Sequence, residues 1–151
     1  MDAVEAFGDG LCGPQVGWRD DFVLQRADGV FSYQLACAVD DAAQGVTEVV
    51  RADDLLSSAS RQQALLKALS LPVPAWYHGP LLLGPTGERL SKRHGSVSVA
   101  AYRDAGVSAA ALRGRLAQSL GWAGVGESLA PSDWIARCRQ TLRPQPLHLE
   151  L

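Results

Sequence analysis

A chain of 151 residues with 47% hydrophobic and 20% charged positions has the composition of a folded globular protein, which excludes an intrinsically disordered one. Its formal net charge of −2 excludes a globally basic nucleic-acid binder, so any contact with RNA has to come from a local patch. No apolar run approaches the ~20 residues of a transmembrane helix, and the acidic start Met1-Asp2-Ala3-Val4-Glu5 lacks the basic and apolar regions of a signal peptide.

Residues 1–19 are rich in glycine, carry Pro14 and show little periodicity, which predicts an irregular lead-in. Asp21 to Arg26 reads as a strand, Ala27-Asp28-Gly29 as a turn, and Val30 to Tyr33 as a returning strand. Gln34 to Ala43 places Leu35, Ala36, Val39, Ala42 and Ala43 at helical offsets, and Gly45 ends the helix. Gly45 to Arg51 reads as a short buried strand with a polar end. A helix over Arg61–Leu71, with Leu65, Leu66 and Leu69 on one face, has Asp53 or Ser57 as candidate caps and is stopped by Pro72 and Pro74. Trp76-Tyr77-His78 begins another strand.

The apolar run Pro80-Leu81-Leu82-Leu83 and the turn Gly84-Pro85-Thr86-Gly87 predict a hairpin. Its return holds Arg89-Leu90-Ser91-Lys92-Arg93-His94, closed by Gly95. A Ser-Lys pair on a glycine-bounded basic loop suits phosphate, because lysine supplies a point charge, serine a hydroxyl and the loop its backbone N–H groups. A solvated basic hairpin tip fits the same residues.

Beyond the loop the character becomes helical. Ser98 to Asp104 forms a turn or two ending at Gly106, Ser108 caps Ala109–Leu120, and Pro131 opens a helix running to about Leu142. The tail at Arg143–Pro146 is expected to fray. The organisation that follows is a lead-in over 1–19, an α/β region over 20–105 and a helical appendage over 106–151.

Tyr33 and Arg51 each close a strand-like segment, and strand ends are where open α/β sheets place ligands. Arginine holds a carboxylate through two parallel N–H bonds, and a tyrosine hydroxyl adds another. The alternative is that Arg51 pairs with Asp53 or Asp54 and Tyr33 packs. Adjacent Asp40 and Asp41 do not form a carboxylate pair for acid–base work. His78, His94 and His148 have no metal-ligand spacing, and of these His94 stands out by lying in the basic loop. Trp18, Trp76, Trp122 and Trp134 are scattered and read as packing residues. Cys12, Cys37 and Cys138, odd in number and far apart, form neither a disulfide framework nor a C-x-x-C pair, which suits reduced thiols in a cytoplasmic protein.

In this order the segments DDFVLQRADGVFSYQLACAVDDAAQGVTEVVRADDLL (20–56) and YHGPLLLGPTGERLSKRHG (77–95) resemble the C-terminal half of the catalytic domain of class I glutamyl-tRNA synthetases. Within that family the chain is most similar to the truncated paralogue that glutamylates tRNA(Asp). The resemblance covers roughly residues 20–120, and the ordered combination of motifs is far more specific than a lone Leu-Ser-Lys. It implies an α/β fold: half of a Rossmann-type catalytic domain followed by a small all-helical appendage.

The same resemblance implies the chemistry. Arg89, Leu90, Ser91, Lys92 and Arg93 fall on the second class I signature, the Lys-Met-Ser-Lys-Ser loop that contacts ATP, with Lys92 against the phosphates as the catalytic charge partner. Arg89 and Arg93 depart from lysine and serine, as glutamate-specific members do. Tyr33 and Arg51 match the residues that hold L-glutamate. ATP with magnesium is the co-substrate, and the acceptor is queuosine of tRNA(Asp), or the terminal adenosine of tRNA(Glu) in a full synthetase. The family's first signature, His-Ile-Gly-His, and its cysteine-rich zinc site are not in this sequence. The expectation is the back half of an enzyme, inactive alone and completed by an N-terminal half. A non-catalytic remnant binding tRNA or a synthetase is the competing reading.

Overall fold

The structure is a computed structural model that describes residues 3–83, 98–140 and 147–148. The chain divides into two compact units, Met1–Gly79 and Pro80–Leu151.

The first unit is a four-stranded sheet with two helices, and its strands lie in the order Gly13–Arg19 (β2), Ala3–Asp9 (β1), Ala75–Gly79 (β4), Glu48–Ala52 (β3). Strands β1 (Ala3–Asp9) and β2 (Gly13–Arg19) form an antiparallel hairpin in which Ala6 faces Val16. The expected irregular lead-in is therefore two strands. Glu5, Phe7 and Asp9 are buried while Ala6, Gly8 and Gly10 are exposed, a strict period of two. Two of the three inward residues are acids, so hydrophobic periodicity cannot see the strand. Asp9 Oδ1 accepts from the N–H groups of Leu11 (3.0 Å) and Cys12 (2.8 Å), and Gly13 takes φ +75°, which closes the turn. Buried Glu5 is held by Gln63 Nε2 at 2.6 Å and by Lys67 Nζ.

Residues 20–32 correct a second expectation. The two predicted strands reduce to one antiparallel bridge, Gln25 to Phe31, around a turn with Gly29 at φ +85°. Val23, Leu24, Val30 and Phe31 are exposed, so these positions bury little apolar surface that would extend the ribbon. Ser32 caps α1 (Tyr33–Ala43) by accepting from Leu35 N–H at 3.4 Å. Tyr33 thus opens a helix and does not close a strand.

Strand β3 (Glu48–Ala52) lies at the sheet edge, with Val50 74% exposed, so it is not the buried strand expected. A 3₁₀ turn, Asp53–Leu55, leads into α2 (Leu56–Ala68), which begins five residues earlier than predicted. Leu55 occupies the cap position, with no side-chain hydrogen bond, so neither Asp53 nor Ser57 serves. The buried face of α2 is Ser58, Ala59, Ser60, Gln62, Gln63 and Leu66, and Leu69 is exposed. A face this polar hides the helix start from a search for leucines. Gly17 lets β2 approach α2 closely, since a Cβ there would lie 2.2 Å from the Ser60 side chain. The core joins Phe7, Ala38, Ala59, Leu66 and Trp76. Strand β4 (Ala75–Gly79) falls on the strand predicted at Trp76-Tyr77-His78, and it runs parallel to both β1 and β3.

The second unit contains β5 (Leu82–Leu83), α3 (Val99–Asp104), α4 (Ala109–Ser119), α5 (Pro131–Gln140) and β6 (Leu147–His148). Ser98 and Ser108 cap α3 and α4 by accepting from Ala101 and Ala111 N–H. Arg113 Nε donates to Leu129 O at 2.8 Å, and Arg137 ties α5 to Trp122 O and to Glu127. The Trp122 and Trp134 rings meet edge to face with centroids 5.7 Å apart. The two units meet at Gly79–Pro80, and Gly106 (φ +78°) lies between α3 and α4 within the second. In that unit β5 pairs in parallel with β6. The returning arm of the predicted hairpin and Arg143–Pro146 lie outside the described residues.

Candidate active site

Three neighbouring strands bring together residues far apart in sequence. In the parallel register of β3 and β4, Arg51 is the partner of His78. On the other side of β4, Asp9 ends β1 opposite Trp76. Asp9, His78 and Arg51 therefore form a line across the sheet. His78 is fully buried. Its Nδ1 lies 2.6 Å from Asp9 Oδ2, and Arg51 Nε donates to its Nε2 at 2.9 Å.

Arg51 is braced further. Its Nη1 donates to Gln62 Oε1 at 2.8 Å and its Nη2 to Leu55 O at 3.3 Å. The guanidinium carbon stands 5.1 Å from the centre of the Trp76 ring, a cation–π distance. A guanidinium carries five N–H groups. His78, Gln62 and Leu55 take three of them. Bracing of this kind removes rotamer freedom before a ligand arrives.

Tyr33, at the first position of α1, is 51% exposed, and its hydroxyl interacts with Cys37, one helical turn on, and with Arg51. Burial, then the Cys37 thiol, push the phenol above its ordinary 10.0, and Arg51 pulls the other way without cancelling them. The phenol therefore stays neutral at physiological pH and can donate to a carboxylate. Burial alone would raise the Asp9 carboxyl. The N–H of Cys12, the His78 ring, and the N–H groups of Leu11 and His78 outweigh it and hold Asp9 below its ordinary value.

Of the predicted site residues, Tyr33 and Arg51 come together, although Tyr33 does so from a helix. Arg89, Leu90, Ser91, Lys92 and Arg93 lie outside the described residues. Sequence reasoning missed Asp9, Gln62 and His78. Asp9-Gly10 is a turn dipeptide that could have drawn notice, whereas Gln62 and His78 carry no local signal. Among the described residues no group of three or more His, Cys, Asp or Glu side chains could hold a metal ion. Among the same residues no helix is long and apolar enough to cross a membrane.

The family described as tRNA synthetases class I (E and Q), catalytic domain, matches residues 7–132. A glutamyl-Q tRNA(Asp) synthetase of Nitratidesulfovibrio vulgaris is 50% identical over 151 residues, covering 97% of this chain and 47% of that protein. One from Symbiobacterium thermophilum is 51% identical over 133 residues, covering 86% and 41%. A glutamate–tRNA ligase of Xanthobacter autotrophicus is 52% identical over 103 residues, 68% of this chain and 22% of that protein. The crystal structure of a glutamate tRNA ligase from Elizabethkingia meningosepticum, in complex with its amino acid, superposes with a TM-score of 0.75. It is 23% identical and covers 99% of this chain and 34% of that one, a likeness of fold. The chain spans about half the length of the curated relatives it matches.

Proposed function

Because this chain belongs to the class I (E and Q) tRNA synthetase catalytic-domain family, we propose that it supplies the glutamate-gripping residues and the ATP loop of a ligase acting on queuosine of tRNA(Asp). The observation that carries the glutamate reading is Arg51, braced by His78, Gln62 and Leu55, beside Tyr33. Such a pre-set fork suits a carboxylate, either the side-chain or the α-carboxylate of glutamate. The acceptor reading rests on the names of relatives about 50% identical to this chain.

In the first step a carboxylate oxygen of glutamate attacks the α-phosphorus of ATP. The bond from that phosphorus to the pyrophosphate oxygen breaks, giving glutamyl-adenylate and pyrophosphate. ATP enters as its magnesium complex, and no protein site for magnesium or zinc is assigned. Lys92, with Arg89, Leu90, Ser91 and Arg93, lies against the ATP phosphates in this reading and offsets the charge that builds at phosphorus. In the second step a hydroxyl of the queuosine cyclopentenediol attacks the acyl carbon. AMP leaves, and the hydroxyl proton passes to solvent. The residues of the first signature come from an N-terminal half, so we expect residues 1–151 alone to catalyse no exchange.

The test is glutamate-dependent ATP–pyrophosphate exchange by this chain joined to the N-terminal half of the Nitratidesulfovibrio vulgaris relative. Labelled glutamate is then offered to tRNA(Asp) with queuosine, to the same tRNA with guanosine, and to tRNA(Glu). Exchange with transfer to queuosine alone is the expected result. Transfer to tRNA(Glu) instead would favour a glutamyl-tRNA synthetase, the reading that the Xanthobacter relative supports. No exchange by the joined enzyme would leave the non-catalytic remnant as the better reading.

A further inference from the structure

The proton positions along Asp9, His78 and Arg51 are determined by donor chemistry. Arginine only donates. Since Arg51 Nε donates to His78 Nε2 at 2.9 Å, that nitrogen must present a lone pair. The imidazole proton then sits on Nδ1 and points at Asp9 Oδ2, 2.6 Å away. A ring with its proton on Nε2 would set N–H against N–H at the same 2.9 Å.

Asp9 is itself immobile. Its other oxygen, Oδ1, accepts three backbone N–H groups, from Leu11 at 3.0 Å, Cys12 at 2.8 Å and His78 at 3.2 Å. The Cys12 thiol donates to His78 O at 3.3 Å, which fastens the same turn to β4. On its other side His78 meets Arg51 from β3, and Trp76 of its own strand lies 6.5 Å away, ring centre to ring centre. Among the described residues, the charged groups facing the imidazole are thus one carboxylate at Nδ1 and one guanidinium at Nε2.

We infer that His78, held as its Nδ1–H tautomer by Asp9, is a positioning residue that sets the Arg51 guanidinium for the substrate carboxylate. The inference rests on the glutamate reading above. Neither Asp9 nor His78 touches substrate in it. They act by leaving Arg51 one orientation, so the guanidinium does not have to be ordered when glutamate binds.

The decisive variant is Asp9→Asn. The position of Oδ1 receives three N–H groups, so the amide oxygen must stay there and its NH₂ must face His78 Nδ1. The imidazole is forced to accept at Nδ1 and to carry its proton on Nε2, against Arg51. The backbone bonds of the turn survive, and only the tautomer changes. In the joined enzyme, Asp9→Asn should raise the KM for glutamate roughly 10-fold or more while leaving the KM for ATP within about twofold, the split expected of a wrong tautomer that disturbs one substrate's binding group. Histidine ¹⁵N NMR of the wild-type protein should report the proton on Nδ1 of His78, and on Nε2 in the variant. A wild-type Nε2–H tautomer would overturn the inference without any variant having to fold. So would an unchanged glutamate KM in Asp9→Asn when Arg51→Ala is impaired. An unchanged glutamate KM in Arg51→Ala would overturn the glutamate reading itself, and the inference with it, whatever tautomer is found.

Discussion

Gln62, 1% exposed on α2, accepts a hydrogen bond from Arg51 Nη1 at 2.8 Å, so the buried face of a helix steadies the arginine of an edge strand. The amide nitrogen of the same side chain has no hydrogen-bond partner among the described residues. Gln62→Glu removes that unsatisfied donor and sets a fixed carboxylate against the guanidinium. The thermal midpoint should not fall, but the carboxylate competes with the substrate's own. The KM for glutamate is expected to rise about 10-fold or more, as interactions made equally in ground and transition states are lost. Exchange kinetics measured beside thermal unfolding check the split, and an unimpaired KM would count against Arg51 as the glutamate ligand.

Acid should loosen the first unit through Asp9. Its folded carboxyl is more acidic than its ordinary 3.8, so the unfolded chain binds the proton more readily. The stability it contributes is fully present above 3.8 and is lost as pH falls through the lower folded value. Asp9→Asn cannot titrate. The gap in unfolding free energy between wild type and variant should therefore be constant above about pH 5 and narrow steadily below about pH 4. Urea unfolding at stepped pH measures it, and a gap that stays constant to low pH would show that Asp9 is not held below its ordinary range.

Gly114 lies in the middle of α4, where helix propensity alone favours alanine by about 1 kcal/mol. A Cβ there would stand 1.6 Å from the carbonyl oxygen of Glu127. A backbone atom cannot swing aside, so Gly114→Ala should destabilise the chain by about 1–3 kcal/mol, the usual range for overpacking. Gly8, with nothing within 4 Å of its would-be Cβ, is the control. Equal unfolding free energies for Gly114→Ala and Gly8→Ala would mean that α4 and the 127–128 backbone are not in close contact.

Lys92→Ala in the joined enzyme should slow glutamate-dependent exchange ~10²-fold or more, the loss that follows removal of one transition-state charge partner. The KM for glutamate should hold, because Lys92 is assigned to the phosphates and Arg51 to the carboxylate. An unchanged rate would remove Lys92 from the chemistry.

The sequence by itself determined what depends on near neighbours. Ser98 and Ser108 cap helices because the side chain reaches a backbone N–H three residues on, a distance written in the sequence. The Leu-Ser-Lys loop and the order of Tyr33 before Arg51 pointed to the family for the same local reason. Tertiary structure alone decided the rest. Strand β1 escaped notice because burial there is satisfied by Glu5 and Asp9, whose partners, among them Gln63 and His78, lie 58 and 69 residues away. Of the brace behind Arg51, Gln62 and His78, with Asp9 behind His78, are brought in by a helix on the sheet and by parallel strand register. Pairing between distant strands leaves no spacing to read, so the arginine was visible in the chain and the arrangement that aims it was not.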